Sequence, residues 1–201
     1  MRAAAPTSLV RKTSIVFSIG LRAGLGFLIA ATLVACNRDV AVPPGAPSLE
    51  LKSSSFAGDM IPKKYSSCEG ESSVSPALKW SAPPAGTQSF ALIAIDRDSP
   101  FGFRFVHWVL FDLPPETREL PEGVAKEEQL PDGSRQGLNG YDKVGYVGPC
   151  PPGHSTHRYV FDVYALDRKL NLPTKASKKD VVKAIDGHVL AWGEVVGRFG
   201  R

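Results

Sequence analysis

The sequence is poor in cysteine, has no excess charge in its body and contains no long apolar run. Only 3 of its 201 residues are cysteine, which excludes a small scaffold held together by many disulfides. Residues 1–35 carry four basic residues and no acidic one, so the remainder has 20 Lys and Arg against 20 Asp and Glu. A neutral body without a basic run lacks the electrostatic footprint of a nucleic-acid-binding protein. The composition, 43% hydrophobic, is that of one ordinary globular domain.

The longest apolar run, residues 23–35, is shorter than the roughly 20 residues that a membrane-spanning helix needs. It follows a basic region that ends at Arg22, and this order is typical of a signal peptide. The run ends in Leu33-Val34-Ala35-Cys36, which resembles the bacterial lipoprotein box, in which the cysteine is acylated and becomes the new N-terminus. We therefore expect a signal peptide over residues 1–35 and a lipoprotein of the bacterial cell envelope, anchored on the periplasmic or extracytoplasmic face through Cys36. A plain secretory signal or a structural cysteine is the alternative.

The segment after Cys36 is rich in proline and has no hydrophobic periodicity, so residues 36–47 are interpreted as a tether. Export leaves Cys68 and Cys150 in a compartment where a disulfide persists. The sequence is compatible with a disulfide between them, and also with two unlinked buried cysteines, because spacing along the chain does not test the separation of their Cα atoms.

From residue 48 onward the sequence predicts mainly strands. Three apolar runs rich in β-branched and aromatic residues predict strands over 89–95, 105–113 and 159–166. Ser177 and Asp180 predict the start of a helix, with an apolar face that continues through Val189 and Leu190. A last strand is expected over 193–199. These elements predict one mainly β domain over residues 48–201 with a C-terminal helix packed on it.

Polar residues stand out at the ends of the predicted strands. Asp96 and Asp98 follow the first one, and they point the same way only if the extended backbone continues; an Asx-type turn is the alternative. His107 is embedded in the second strand, where a histidine is more often a satisfied core residue than a functional one. His157 and Tyr159 share one face of the third strand, after a stiff loop rich in proline and glycine.

Three separated motifs in this order resemble the signature segments of the phosphatidylethanolamine-binding protein family, in its bacterial branch of Raf-kinase-inhibitor-like proteins. The motifs are Asp96-x-Asp98-Ser99-Pro100, His107-Trp108-Val109, and Gly148-Pro-x-Pro-Pro followed by His157-Arg158-Tyr159. The resemblance covers residues 48–201 and implies a Greek-key β-sandwich with a small ligand pocket at one end of the central sheet. Ser99 departs from the alanine common at its position. The residues placed in the pocket are Asp96, Asp98, Ser99, Pro100, His107, Gly148, Pro151, His157 and Tyr159.

A pocket with two carboxylates, two imidazoles and a phenol is electrostatically unfavourable for an isolated anion, because the carboxylates repel it. A zwitterionic phospholipid headgroup eases the conflict, with its ammonium toward a carboxylate and its phosphate toward the imidazoles and the phenol. We therefore expect a non-enzymatic binding protein for a small anion or phospholipid headgroup, which binds anions more tightly below about pH 6.5, where an unperturbed histidine becomes charged.

Three other functions are compatible with parts of the sequence. A protein-binding inhibitor of a peptidase or kinase, acting through the pocket rim, is the main alternative, and its partner is unknown. A hydrolase is disfavoured because Ser99 lies in no Gly-x-Ser-x-Gly elbow. His154 and His157 could contribute to a zinc site, but their spacing matches no common zinc motif. No cofactor or metal is expected.

Overall fold

The computed structural model describes Met1, residues 39–68 and residues 73–200, without the side chain of Phe101. The predicted signal peptide and the lipidation site at Cys36 lie outside the described residues. Within the described part of the chain, no helix has the length and hydrophobicity needed to cross a bilayer.

Seven strands and one α-helix make up the regular structure of the described residues, together with short 3-10 turns. In chain order they are β1 (Leu78–Lys79), β2 (Ser89–Asp96), β3 (Phe105–Leu113), β4 (Glu119–Leu120), β5 (Arg135–Gln136), β6 (Thr156–Leu166), α1 (Lys178–Ile185) and β7 (Val189–Gly200).

The strands form two antiparallel sheets. The larger has the order β5-β3-β2-β6-β7, and the smaller pairs β1 with β4. Strand β2 lies in the middle of the larger sheet, and all eight of its residues are buried. Its uninterrupted apolar run follows from this position, because core side chains cover both of its faces. The predicted mainly β fold is confirmed.

Each face of the large sheet carries its own hydrophobic cluster. Trp108, Phe90 and Tyr159 belong to the cluster on one face. Val109 and Ile93 belong to the cluster on the other face, against which α1 packs. The alternation along the strands therefore separates the two cores.

Helix α1 begins at the predicted position and ends before the predicted one. Ser177 and Asp180 form a reciprocal capping box at its N-terminus. The helix ends at Ile185, because Gly187 adopts a φ of 76° that an α-helix does not contain. Val189 and Leu190, predicted to extend the helix, instead begin β7, where Val189 pairs with Leu166. The last strand is accordingly longer than the predicted 193–199.

The described part of the predicted tether, residues 39–47, lies against the domain. Asp39 forms ion pairs with Arg104 at 3.1 Å and with Lys178 at 2.8 Å. Val40 is 3% exposed and joins the cluster beneath α1. The proline-rich composition disfavours regular structure, but these contacts hold the segment in place all the same.

Candidate ligand-binding site

Antiparallel pairing places the end of β2 between two strands that carry other candidate residues. Asp96, the last residue of β2, pairs with Phe105 on β3 and with Tyr159 on β6. His107 and His157 lie two residues from these partners along their own strands. The predicted convergence of Asp96, two histidines and Tyr159 therefore follows directly from the strand register.

A β-bulge turns His107 toward this convergence. Ala94 pairs with Trp108 while Ile95 pairs with Val106, so His107 is an extra residue on β3. Because of the bulge, His107 and Trp108 are consecutive and yet both face the side of the sheet that holds Tyr159. The rings of His107 and Tyr159 meet edge to face at 5.0 Å. Bulges often re-aim a side chain in this way.

A cavity of about 110 Å³ opens at this end of the sheet. Seven of the nine candidate residues line it: Asp96, Ser99, Pro100, His107, Gly148, Pro151 and Tyr159. The other two, Asp98 and His157, are not among its lining residues. A cavity of this size accommodates a small polar group and leaves no room for an acyl chain.

Asp98 points away from the cavity because the chain turns directly after β2. The Asp98 N–H donates to Asp96 Oδ1 at 2.9 Å, which is the Asx-type turn that the sequence left open. The Asp98 carboxylate instead accepts from the Arg158 side chain at 2.5 and 2.9 Å and from the Arg158 N–H. Hydrogen bonding to Arg158 lowers the pKa of Asp98 to about 2. Asp98 therefore braces the turn that presents Asp96.

His157 supports Asp96 from behind the cavity wall. Its Nδ1 lies 2.7 Å from Asp96 Oδ2, and both residues are nearly fully buried. Its Nε2 lies 3.1 Å from Ser155 Oγ, so Ser155, His157 and Asp96 are ordered as in a hydrolytic triad. However, Ser155 does not line the cavity, and the Pro152 carbonyl, 2.7 Å from its Oγ, competes with His157 for the single hydroxyl proton. The Ser155 hydroxyl is therefore not placed to act as a nucleophile on a ligand in the cavity.

His107 faces the cavity as a neutral imidazole. Its Nδ1–H donates to the Val147 carbonyl at 2.7 Å, which leaves Nε2 as an unprotonated acceptor. Burial lowers the pKa of His107 to about 4, against the opposing effects of the Val147 carbonyl and Asp96. The expectation that this histidine becomes charged near pH 6.5 is therefore wrong, because that value applies to a solvated imidazole.

Hydrogen-bond donors complement these acceptors. The Tyr159 hydroxyl is buried and has no hydrogen-bond partner among the residues that the structure describes. Its pKa is raised, first by burial and then by Asp96, so it remains a donor at neutral pH. The Ser99 hydroxyl and the Gly148 N–H likewise form no hydrogen bond with another described residue. The cavity thus combines acceptors at Asp96 and His107 with free donors.

The loop wall of the cavity is rigidly attached to the segment before it. A disulfide joins Cys68 to Cys150, with their Cα atoms 5.1 Å apart. The Ser67 hydroxyl donates to the Gly148 carbonyl at 2.8 Å. A Cβ on Gly148 would lie 2.6 Å from the Ser66 carbonyl carbon and would also contact Tyr65 O, so only glycine fits there.

The sequence did not place five of the lining residues in the pocket: Ser67, Phe105, Tyr141, Cys150 and Pro152. Phe105 carried a usable signal, because it precedes His107 by two residues on the same strand. Ser67 and Tyr141 carried none, because loop packing alone brings them to the cavity. Among the described residues, no group of three or more His, Cys, Asp or Glu side chains is placed to hold a metal ion.

Comparison with known proteins gives a consistent result. The family model described as phosphatidylethanolamine-binding protein matches residues 52–200. A UPF0098 protein of Aquifex aeolicus is 45% identical over 160 residues, which cover 78% of this chain and 91% of that protein. The UPF0098 protein YbhB of Escherichia coli is 36% identical over 148 residues, covering 71% and 93% of the two chains.

Two solved structures share the fold. The crystal structure of Escherichia coli YbcL, described as a member of the mammalian PEBP family, superposes with a TM-score of 0.70 at 28% identity and covers 77% of this chain and 99% of YbcL. The PEBP homologue CT736 of Chlamydia trachomatis superposes with a TM-score of 0.67 at 36% identity, covering 77% of this chain and 98% of CT736.

Proposed function

Since the chain belongs to the phosphatidylethanolamine-binding protein family, we propose that it is a non-enzymatic binding protein whose cavity holds a small phosphate ester bearing an amine. The phospholipid headgroup phosphoethanolamine has this chemistry. One observation carries the proposal: Tyr159, whose buried hydroxyl has no partner in the described part of the chain, lines the cavity together with Asp96 and His107. A buried polar group without a partner is destabilising, and a bound ligand would satisfy it.

Both ends of such a ligand have a counterpart in the cavity. An ammonium group donates to the Asp96 carboxylate and to His107 Nε2, which are the two acceptors. A phosphate accepts from the Tyr159 and Ser99 hydroxyls and from the Gly148 N–H. Because His107 is neutral, it offers no positive charge to an anion at neutral pH. A zwitterion is therefore favoured over a bare anion.

Replacing Tyr159 by phenylalanine removes only the hydroxyl, and we expect it to weaken phosphoethanolamine binding about tenfold, because a hydrogen bond to a charged group is lost. Isothermal titration calorimetry at neutral pH measures this affinity. In the ligand-free protein the same change should leave the free energy of unfolding unchanged or raise it by up to about 1 kcal/mol, because it deletes an unsatisfied group. A residue with a purely structural role would show the opposite pattern.

Tyr164→Phe is the matched control, since Tyr164 lies on the same strand and its side chain belongs to the cluster on the opposite face of the sheet. This variant should bind phosphoethanolamine like the wild type. If the wild type binds neither phosphoethanolamine, inorganic phosphate nor ethanolamine, or if Tyr159→Phe binds as tightly as the wild type, the proposed function is wrong.

Anchoring through Cys36 is part of the same proposal. Asp39 lies three residues after Cys36, a distance of at most about 10 Å even for a fully extended chain. Asp39 is paired with Arg104, which stands between the exposed Phe103 and the cavity-lining Phe105. Acylation of Cys36 would attach the domain to the bilayer through the short segment that precedes Asp39.

Mass spectrometry of the protein purified from its source membrane should find a chain that begins at an acylated Cys36, because the peptidase removes residues 1–35. A mature chain that begins elsewhere, or an unmodified Cys36, would contradict the anchor without affecting the cavity. The alternative role as an inhibitor that acts through the pocket rim stays a prediction, and Tyr141, which lines the cavity and is 61% exposed, is open to such a partner.

A further inference from the structure

A second cavity, of about 210 Å³, adjoins the first. Ser67 and Tyr141 line both cavities. Val147 lines the second cavity and accepts the hydrogen bond of His107, which lines the first. A ligand that occupies the first cavity is therefore separated from the second only by these shared side chains and the backbone at Val147.

Two lysines without a counterion line the second cavity. Among the residues that the structure describes, neither Lys126 nor Lys143 forms an ion pair with a carboxylate, whereas Lys64 and Lys175 each do. Both lysines line the same cavity, and the pKa of Lys126 is lowered by partial burial and next by repulsion from the charge of Lys143. An anion between them would relieve this repulsion.

The turn that carries Lys143 is fixed by hydrogen bonds. The Asn139 side chain accepts from the N–H groups of Tyr141 and Lys143 at 3.0 and 3.3 Å and donates to the Gly145 carbonyl at 3.0 Å. The Asn139 N–H also donates to the Lys143 carbonyl at 2.9 Å. The backbone positions of Tyr141 and Lys143 are therefore set before any ligand arrives.

Lys126 packs against the same turn. Its stem packs on Gly145, where a Cβ would lie 2.7 Å from Lys126 Cγ. Gly145 has a φ of 90°, a conformation that favours glycine. The two lysines, although exposed, thus line a cavity whose backbone is fixed.

We propose that Lys126 and Lys143 form a second, anion-binding subsite, which selects phosphate esters that carry an additional negative group such as a carboxylate. This inference rests on the proposed function, because the ester's phosphate and amine must occupy the first cavity. The phosphate ester could be a free metabolite or the headgroup of a lipid, and both present the same chemistry to the two cavities.

O-phosphoserine and O-phosphoethanolamine are the probes, since they differ only by one carboxylate. We expect the wild type to bind phosphoserine about fivefold more tightly, as two partly exposed lysines each contribute modestly. The double variant Lys126→Gln/Lys143→Gln should bind both probes with the affinity that the wild type has for phosphoethanolamine. The preference should also shrink between about 50 and 500 mM salt, because screening weakens exposed charge pairs.

Lys179→Gln/Lys183→Gln is the matched control: it removes the same charge from the exposed face of α1 and should retain the preference. The subsite is overturned if the wild type shows no preference, if the Lys126/Lys143 variant keeps it, or if the control loses it equally. In each of these cases phosphoethanolamine binding leaves the proposed function intact. Failure of both probes to bind overturns both proposals.

Vesicles distinguish the two sources of the ester. The chain from residue 37 to residue 201, which lacks the acylation site, should co-sediment with phosphatidylcholine vesicles that contain phosphatidylserine if the ester is a lipid headgroup, and soluble phosphoserine should release it. Vesicles that contain phosphatidylethanolamine are the reference. Binding of soluble phosphoserine alone, again dependent on Lys126 and Lys143, supports the subsite with a free metabolite as its ligand.

Discussion

Replacing Cys68 and Cys150 together by alanine should lower the free energy of unfolding by about 4 kcal/mol. The disulfide joins residues 82 positions apart, and in the chain-entropy model a loop of this length is worth between the ~3 kcal/mol of a 15-residue loop and the ~4.7 kcal/mol of a 100-residue loop. Alanine avoids placing a hydroxyl at Cys68, which is 4% exposed. Urea denaturation measures the change.

The reduced wild type is the matched control for this substitution. With a thiol reductant present, its unfolding midpoint should move to that of the double variant, and the variant's own midpoint should not move. Phosphoethanolamine affinity should fall in both, because Cys150 lines the cavity and ties its loop wall to the segment at Ser67. Equal midpoints for the oxidised wild type and the variant would show that the disulfide does not stabilise the fold.

Acidification from about pH 6.5 to about pH 4 should cost about 3 kcal/mol of folding free energy through His107 alone. The unfolded imidazole binds a proton near pH 6.5, whereas burial lowers the pKa of His107 in the folded protein to about 4. Stability that is present above pH 6.5 is therefore lost as the pH falls toward the folded pKa. Asp98, whose pKa is lowered to about 2, begins to lose its stabilising contribution near pH 5, and most of that loss falls below pH 4.

Urea titrations at several pH values test this linkage with two variants. His107→Gln should show a free energy of unfolding that falls less between pH 6.5 and pH 4, by about the 3 kcal/mol assigned to the histidine. His154→Gln, at an exposed position, should keep the steep dependence of the wild type. A His107→Gln profile parallel to that of the wild type would mean that the buried imidazole is not the proton acceptor.

The neutral state of His107 also changes the expected pH dependence of ligand binding. Sulfate keeps its charge over this range, so its affinity reports on the protein. The sequence predicts tighter anion binding below about pH 6.5; the structure moves any contribution of His107 down to about pH 4. The reason is desolvation, a property of the packed site that residue type and spacing do not encode.

Local patterns were sufficient for the three central strands of the large sheet and for the start of the helix, but not for the two-residue strands β1, β4 and β5. Three apolar runs marked β2, β3 and β6, and Ser177 marked the start of α1, because strand burial and helix capping depend on a few neighbouring residues. The C-terminal end of α1 could not be predicted from local sequence. Val189 and Leu190 fit a helical face equally well, and only pairing with β6 assigns Val189 to a strand.

The sequence by itself determined which chemical groups this protein has, and that Asp96, His107 and Tyr159 lie within or next to three predicted strands. Only the tertiary structure decided their roles. A bulge directs His107 toward the cavity, and a turn places the Asp98 carboxylate against Arg158. Loop packing places Ser67 and Tyr141 in the lining of both cavities. These outcomes depend on contacts between residues far apart in the chain, whose energies no local pattern contains.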